Sequence, residues 1–409
     1  MSIPVVVTGL GSVSPHGRGA AALWAGLLEG RSALRAVTLF DASVFRNAQA
    51  GEVDGYSAGE GQPPRAVRML CDAALEALGD ATGLRFVAAP DAVRAAVAAQ
   101  PGLAAAALVA GTNFGGMSAA ERALIDGSED AGKASLDGYL FGTAGEAVAQ
   151  AGGLSGPRLN LSLSCASGAA AIGQAFDLLR LGRAQAVLAC GYDELSLYIY
   201  AGLSALRAIT TETIRPFDKR RKGTLFSEGA GAILLETEAH ARARQAPKIY
   251  AQVLGRAMNN DGYHMTAPEQ EALGIKALMR AALFDAGVKP EAVDYLNLHA
   301  TGTPYNDKIE TKAVHDVFGA RGREIPVSSI KSSIGHTMGA AGVHESIAAI
   351  LTLRDQKAPP ILGLDPAEKD PECDLHTPTN GALSGSFKTI LKTSYGFGGT
   401  NAAVVFGSV

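Results

Sequence analysis

The stretch LNLSLSCASGAAAIGQAFDLLRL, residues 159–181, decides the fold. Leu159 to Ser164 reads as a short strand, and about Gly168 to Leu181 as an alanine-rich helix, with small residues around Cys165 between them. The same order returns at 326–355, where PVSSIKSSIGHTMG leads into a second alanine-rich helix. Another pair supports the repeat. Residues 71–115 run helix, spacer, strand and AGTNFGG, and residues 276–303 run helix, spacer, strand and HATGT. Identity between the copies is weak, but pattern and order agree. Two similar α/β halves are therefore expected, 1–245 and 246–409, divided in the polar stretch TEAHARARQAPK (237–248). Further strands at Pro4–Thr8, Ala106–Ala110 and Ala186–Cys190 alternate with helices such as Cys71–Leu78, which predicts layered α/β structure with parallel strands.

Composition narrows the function. Of 409 residues 49 are glycine, 47% are hydrophobic and only 19% charged. This suits a tightly packed enzyme in which backbones or ligands approach closely, and excludes a disordered or collagen-like chain. A net charge of −4 gives no reason to expect nucleic acid as a partner. The most apolar run, Val97 to Gly111, is broken by Gln100, Pro101 and Gly102 and is too short for a membrane span. The N-terminus reads as a first strand and loop, not a signal peptide. Four cysteines without a C-x-x-C pair predict neither a disulfide framework nor a zinc knuckle, and place the protein in a reducing cytoplasm.

Several motifs fail on their context. Gly55-Tyr-Ser-Ala-Gly59 matches a nucleophile elbow but lacks the strand before and the helix after. GSEDAGK (127–133) puts acids inside a would-be phosphate loop and an alanine where magnesium needs a hydroxyl. Gly9-Leu10-Gly11 meets Pro15 where a dinucleotide-binding helix should be running. His344-Glu345 begins H-E-x-x-H, but Ala348 stands in place of the second histidine, so no metal site is expected.

Cys165 is different. At a helix N-terminus the dipole favours a thiolate, and small neighbours leave room for an acyl group. His299, in LNLHATGT, and His336, in KSSIGHTMG, occupy strand-end loops of the kind where α/β active sites gather. Lys331 lies five residues before His336. Cys190 reads as a core cysteine.

From end to end the chain resembles a β-ketoacyl-acyl carrier protein synthase of the KAS I/KAS II type. VVVTGLGSVSPHG (5–17) is similar to the family's opening strand and SCASG (164–168) to its nucleophile motif. HATGTPYND (299–307) is similar to the first histidine motif, and SSIKSSIGHTMGAAG (328–342) to the lysine and second histidine motif. SYGFGGTNA (394–402) is similar to the closing glycine-rich loop, and DGYHMTAP (261–268) also resembles a family segment. The resemblance implies a thiolase-like fold of two duplicated halves in five α-β-α-β-α layers, usually a homodimer. It implies no cofactor beyond the phosphopantetheine carried by acyl carrier protein, which would be the partner delivering acyl and malonyl thioesters.

The implied reaction is decarboxylating Claisen condensation. Cys165 would take up the acyl group, while His299 and His336 would stabilise the enolate left by CO₂ loss. Backbone N–H groups of Cys165 and Phe397 would form the oxyanion hole. Lys331 would order the histidines, with Glu310 or Glu345 as its anionic partner. Thr301 and Thr303 would hold the phosphopantetheine arm, and Phe397, Gly398 and Gly399 would contact the acyl thioester. The run Lys219, Arg220, Arg221 and Lys222, with Arg207, would dock an acidic carrier protein. One departure stands out in RPFDKRRKGTLFSEGAG (215–231): Thr224 replaces a pocket-side phenylalanine of the family's R-D-G-F segment, with Phe226 nearby but out of register.

Rival readings are weaker. A thiolase would need a second cysteine in a glycine-rich C-terminal motif, and Cys373 in DPECDLH has none. The KAS III type would pair the cysteine with one histidine and an asparagine. A silent chain-length factor would lack the nucleophile, although the chain suits the active half of a heterodimer with such a factor. The 409 residues contain no acyltransferase, reductase or carrier segment, so a stand-alone component of fatty acid or polyketide and polyene synthesis is expected.

Overall fold

The structure, a computed structural model, describes residues 3–56, 62–84, 89–126 and 138–409. The 127–133 stretch and part of the Gly55–Gly59 motif lie outside the described residues. The first half contributes β1 (Val5–Ser14), α1 (Arg65–Ala81), β2 (Ala107–Thr112), α2 (Phe141–Gly152), β3 (Arg158–Leu161), α3 (Ser167–Arg180), β4 (Ala186–Asp193), α4 (Leu197–Ala205) and β5 (Gly229–Thr237). The second contributes β6 (Ala251–Asn260), α5 (Leu273–Ala286), β7 (Tyr295–Asn297), α6 (Asn306–Phe318), β8 (Val327–Ser328), α7 (Ala341–Asp355), β9 (Thr389–Gly396) and β10 (Thr400–Gly407).

The strands lie in the order β8-β7-β9-β10-β6-β1-β5-β4-β2-β3. Read outward from the middle, each half repeats one order: first, fifth, fourth, second, third. The halves join where β1 pairs antiparallel with β6, Val5 opposite Val253 and Val7 opposite Ala251. The expectation of parallel strands is only half met. β2 runs parallel to β3 and β4, and β7 parallel to β8 and β9, but every other pairing along this order is antiparallel. The first strand and the last of each half lie in the interior, next to each other, with opposite sense.

Period-two alternation builds the layers. In β2, Val109 faces a central core with Ile172 and Phe176 of α3 and Val343 and Ile347 of α7. Leu108 and Ala110 face an outer core with Leu70, Ala73 and Ala77 of α1. In β10, Val404 and Phe406 face the centre, and Ala403 and Val405 face Leu278 and Met279 of α5. The five layers are thus α1/α2, sheet, α3/α7, sheet and α5/α6. Helix α7 is buried from Ala341 to Leu353, which explains why its sequence is apolar nearly all round.

The helices α3 and α7 meet through glycines. A Cβ on Gly342 would stand 2.3 Å from the backbone nitrogen of Ala169, and one on Gly168 would stand 2.7 Å from the Gly339 carbonyl oxygen. No other residue fits this contact. It brings the start of α3, just after Cys165, against the approach to α7, just after His336.

Candidate active site

Cys165 sits in a tight turn between β3 and α3, and the strand ends earlier than expected, at Leu161. Ser164 takes a positive φ of 49°, and the Ala166 and Ser167 amides close onto the Leu163 and Ser164 carbonyls. The Ser167 hydroxyl bonds the Ser164 carbonyl at 2.6 Å. Across the two halves, Ser164 Oγ donates to the Phe397 carbonyl at 2.9 Å and Thr400 Oγ1 donates to the Leu163 carbonyl at 2.9 Å. The glycine-rich loop therefore closes over the cysteine turn. Among the described residues no backbone carbonyl takes up the Cys165 or Phe397 N–H.

The expected thiolate is overturned for the free protein. Cys165 is buried, and burial pushes its thiol up to about 12, against the opposing pull of Lys331. Only Ala166 separates it from the first residue of α3, yet desolvation of the charge outweighs the helix dipole.

His299 follows β7 and His336 follows a short turn beginning at Lys331; their rings meet edge-on with centroids 5.3 Å apart. Lys331 Nζ lies 3.2 Å from His299 Nδ1 and donates to the His299 carbonyl at 2.6 Å. The Met338 N–H lies 3.3 Å from His336 Nδ1. A cation and an N–H cannot face a protonated Nδ1, so both imidazoles carry their proton on Nε2. Burial first, then the Lys331 charge, holds both rings well below the usual histidine range, so they are neutral donors. The Phe226 ring stacks on His336 at 5.5 Å.

The anionic partner of Lys331 is Glu345, bonded directly. Glu310 does something else: it accepts the His299 and Ala300 amides at 2.9 and 2.8 Å and the Thr393 hydroxyl at 3.0 Å. Burial raises its carboxyl to about 7. Sequence reasoning missed Lys392, fully buried with Nζ 2.9 Å from the other oxygen of Glu345. A lone lysine in the apolar strand TILKTSYG was the available signal. It also missed Asp193, which accepts the Thr112 hydroxyl and the amides of Phe114 and Gly339, tying the loop after β2 to the turn after His336.

The remaining expected residues divide. Thr301 is buried, Thr303 half-buried, and their hydroxyls lie 3.0 Å apart. Phe397 is half-buried against an apolar cluster with Ile199, Leu203, Leu225 and Phe226. Gly398 and Gly399 spend their backbone groups on the 260–265 loop: the Gly398 N–H donates to the Met265 carbonyl at 2.7 Å, and the Gly399 carbonyl accepts from Asp261 at 2.9 Å. Of the basic run, Lys219, Arg220 and Lys222 are exposed but paired with Glu368, Asp218 and Glu212. Arg221 is not a docking residue. It is buried, bonding the Thr303 and Pro304 carbonyls at 3.1 and 3.0 Å and pairing with Asp370, so it clamps the histidine loop. Arg207 is exposed, with no carboxylate paired to it among the described residues.

Set against known proteins, residues 2–241 match the β-ketoacyl synthase N-terminal domain and residues 250–365 its C-terminal domain. The chain belongs to the β-ketoacyl synthase family. It is 34% identical over 422 residues to the 3-oxoacyl-[acyl-carrier-protein] synthase 2 of Coxiella burnetii, covering 99% of this chain and 98% of that one. Two solved structures superpose over the full length of both chains at a TM-score of 0.88. One is a type II polyketide ketosynthase in complex with its acyl carrier protein and bound to the hexaketide, 29% identical. The other is the ishigamide ketosynthase/chain length factor, 30% identical. The fold is thus thiolase-like and the enzyme a ketosynthase of the acyltransferase class. No helix among the described residues is long and apolar enough to cross a membrane.

Proposed function

We propose that this β-ketoacyl synthase extends acyl chains of the fatty acid or polyketide type by two carbons, with acyl carrier protein as its partner. Cys165 attacks the acyl thioester; its sulfur–carbon bond forms as the carrier's breaks, and the carrier leaves as a thiol with the proton. Malonyl thioester then enters. Its bond to CO₂ breaks, and the electron pair moves to the thioester oxygen, where the two Nε2–H groups of His299 and His336 hold the enolate. The enolate carbon attacks the acyl-Cys165 carbonyl, whose oxyanion receives the Cys165 and Phe397 N–H groups. Collapse expels the Cys165 sulfur and leaves a β-ketoacyl chain on the carrier.

The observation that carries this reading is the pair of neutral imidazoles, each fixed as an Nε2 donor by a partner on Nδ1. Lys331, held by Glu345, sets the tautomer of His299 as the Met338 N–H sets that of His336, and it transfers no proton. Thr301 and Thr303 hold the phosphopantetheine arm, with Phe397 at the acyl entrance and Gly398 and Gly399 shaping its loop. Arg207, Lys219, Arg220 and Lys222 meet the acidic carrier. The halves divide at 245/246, a reading supported by the repeated strand order. A second copy or a chain-length factor pairs along β3, an edge strand whose Arg158, Leu159 and Asn160 are exposed. The cytoplasm suits a nucleophile that must remain a thiol.

The test separates the half-reactions. Cys165→Ala is expected to abolish acyl loading and condensation, whereas His336→Ala still becomes acylated but decarboxylates malonyl carrier slowly, by a barrier increase of roughly 3 kcal/mol. Intact mass after incubation with acyl-carrier protein reads the first step and CO₂ release the second. Full condensation by the Cys165 variant would refute the mechanism.

A further inference from the structure

Thr224 is 2% exposed, and its Oγ1 has no hydrogen-bond partner among the described residues. A hydroxyl buried without a partner costs its full desolvation, so the position calls for a ligand. The backbone says which way it faces. Residues 224–226 are extended between two neighbours. Thr224 exchanges backbone bonds with Ala208 and Thr210 on one edge, while the Leu225 carbonyl and the Ser227 amide bond His336 on the other. Alternation puts Thr224 on the same face as Phe226, whose ring stacks on the His336 imidazole. On its other side the Gly223 N–H donates to the Gly302 carbonyl at 3.0 Å, between Thr301 and Thr303. The orphan hydroxyl thus sits in the wall joining the histidine to the expected arm-binding loop.

Resting on the ketosynthase reading, we propose that Thr224 Oγ1 hydrogen-bonds an oxygen of the growing acyl chain, making the enzyme selective for chains oxygenated near the thioester. The surroundings favour a neutral partner. The next residues on that face, Ile209 and Phe226, are apolar, as is Ile214 beside Gly302. Arg221, the nearby cation, is committed to Asp370 and two carbonyls. One neutral hydroxyl in such a wall satisfies a ketone or hydroxyl but does not compensate a buried carboxylate, which argues against the malonyl carboxylate as its partner. A saturated chain leaves the hydroxyl unpaired.

The test uses Thr224→Val, which keeps the shape and removes the hydroxyl, and Thr224→Ser, which restores it, with Thr224→Ala as a second hydroxyl-free variant should the first not fold. Acylation of Cys165 is timed by intact mass with carrier protein charged with a saturated six-carbon acyl group or its 3-oxo counterpart. The valine variant is expected to be acylated about tenfold more slowly by the 3-oxo chain and at an unchanged rate by the saturated one, with serine restoring the ratio and valine raising the melting temperature. Equal losses on both chains, no loss on either, or a loss confined to malonyl decarboxylation would each overturn the proposal. Failure of the unaltered enzyme to load any acyl group would instead overturn the ketosynthase reading beneath it.

Discussion

Alkylation of Cys165 by iodoacetamide, followed by peptide mass, is expected to accelerate steadily from pH 7 to 10 without levelling, because burial holds the thiol near 12. A plateau centred below pH 8 would mean that the helix dipole and Lys331 prevail. This is where the sequence was least informative. Motifs located Cys165, His299, His336 and Lys331, because each stands in a short segment whose spacing survives translation into structure. Charge state was not legible, since desolvation depends on what the other half of the molecule lays over the residue. The same holds for Arg221, which reads as one of four surface cations and is in fact the buried clamp on Thr303 and Pro304. Lys392 and Asp193 carried weaker signals, a lone charge in an apolar strand, whose partners lie 47 and 146 residues away at Glu345 and Gly339.

Among the elements, two helical glycines make opposite demands. Gly202 in α4 has open space where a Cβ would go, so Gly202→Ala is expected to stabilise by about 1 kcal/mol through helix propensity alone. Gly342 in α7 would press a Cβ against the Ala169 backbone, and Gly342→Ala is expected to destabilise by roughly 1–3 kcal/mol and to slow condensation as well, because α3 carries the cysteine turn. Urea unfolding and turnover of the two variants, measured side by side, check both signs. Strand and helix order was readable from periodicity, and so was the duplication. The antiparallel pairings were not: alternating strands and helices leave the direction of the long return from β4 to β5 open, and the tight hairpin at 397–399 that turns β9 back into β10 lies in a glycine-rich stretch that reads only as a loop.

For the whole molecule, protons link stability to the site. Glu310 sits near 7, raised by burial, against an ordinary value of 4.5. Its raised value gives stability that is complete below pH 4.5 and is lost as pH climbs through 7. The unaltered protein should therefore lose ground to Glu310→Gln across that window, by on the order of 1 kcal/mol per pH unit; parallel melting curves for the two would contradict this. Histidines 16 and 344, lowered by burial to about 4, act in the other sense, their contribution fading as pH falls from 6.5 toward 4. Glu310 has one more consequence, since its carboxylate holds the amide of His299, where the extender's charge must come to rest. An anion resting beside the His299 ring would discourage ionisation of Glu310, so near neutral pH malonyl binding is expected to draw a proton from the buffer and product release to return it. Such a proton cycle would never touch the carbon chemistry, and binding heats measured in two buffers of different ionisation enthalpy would read it.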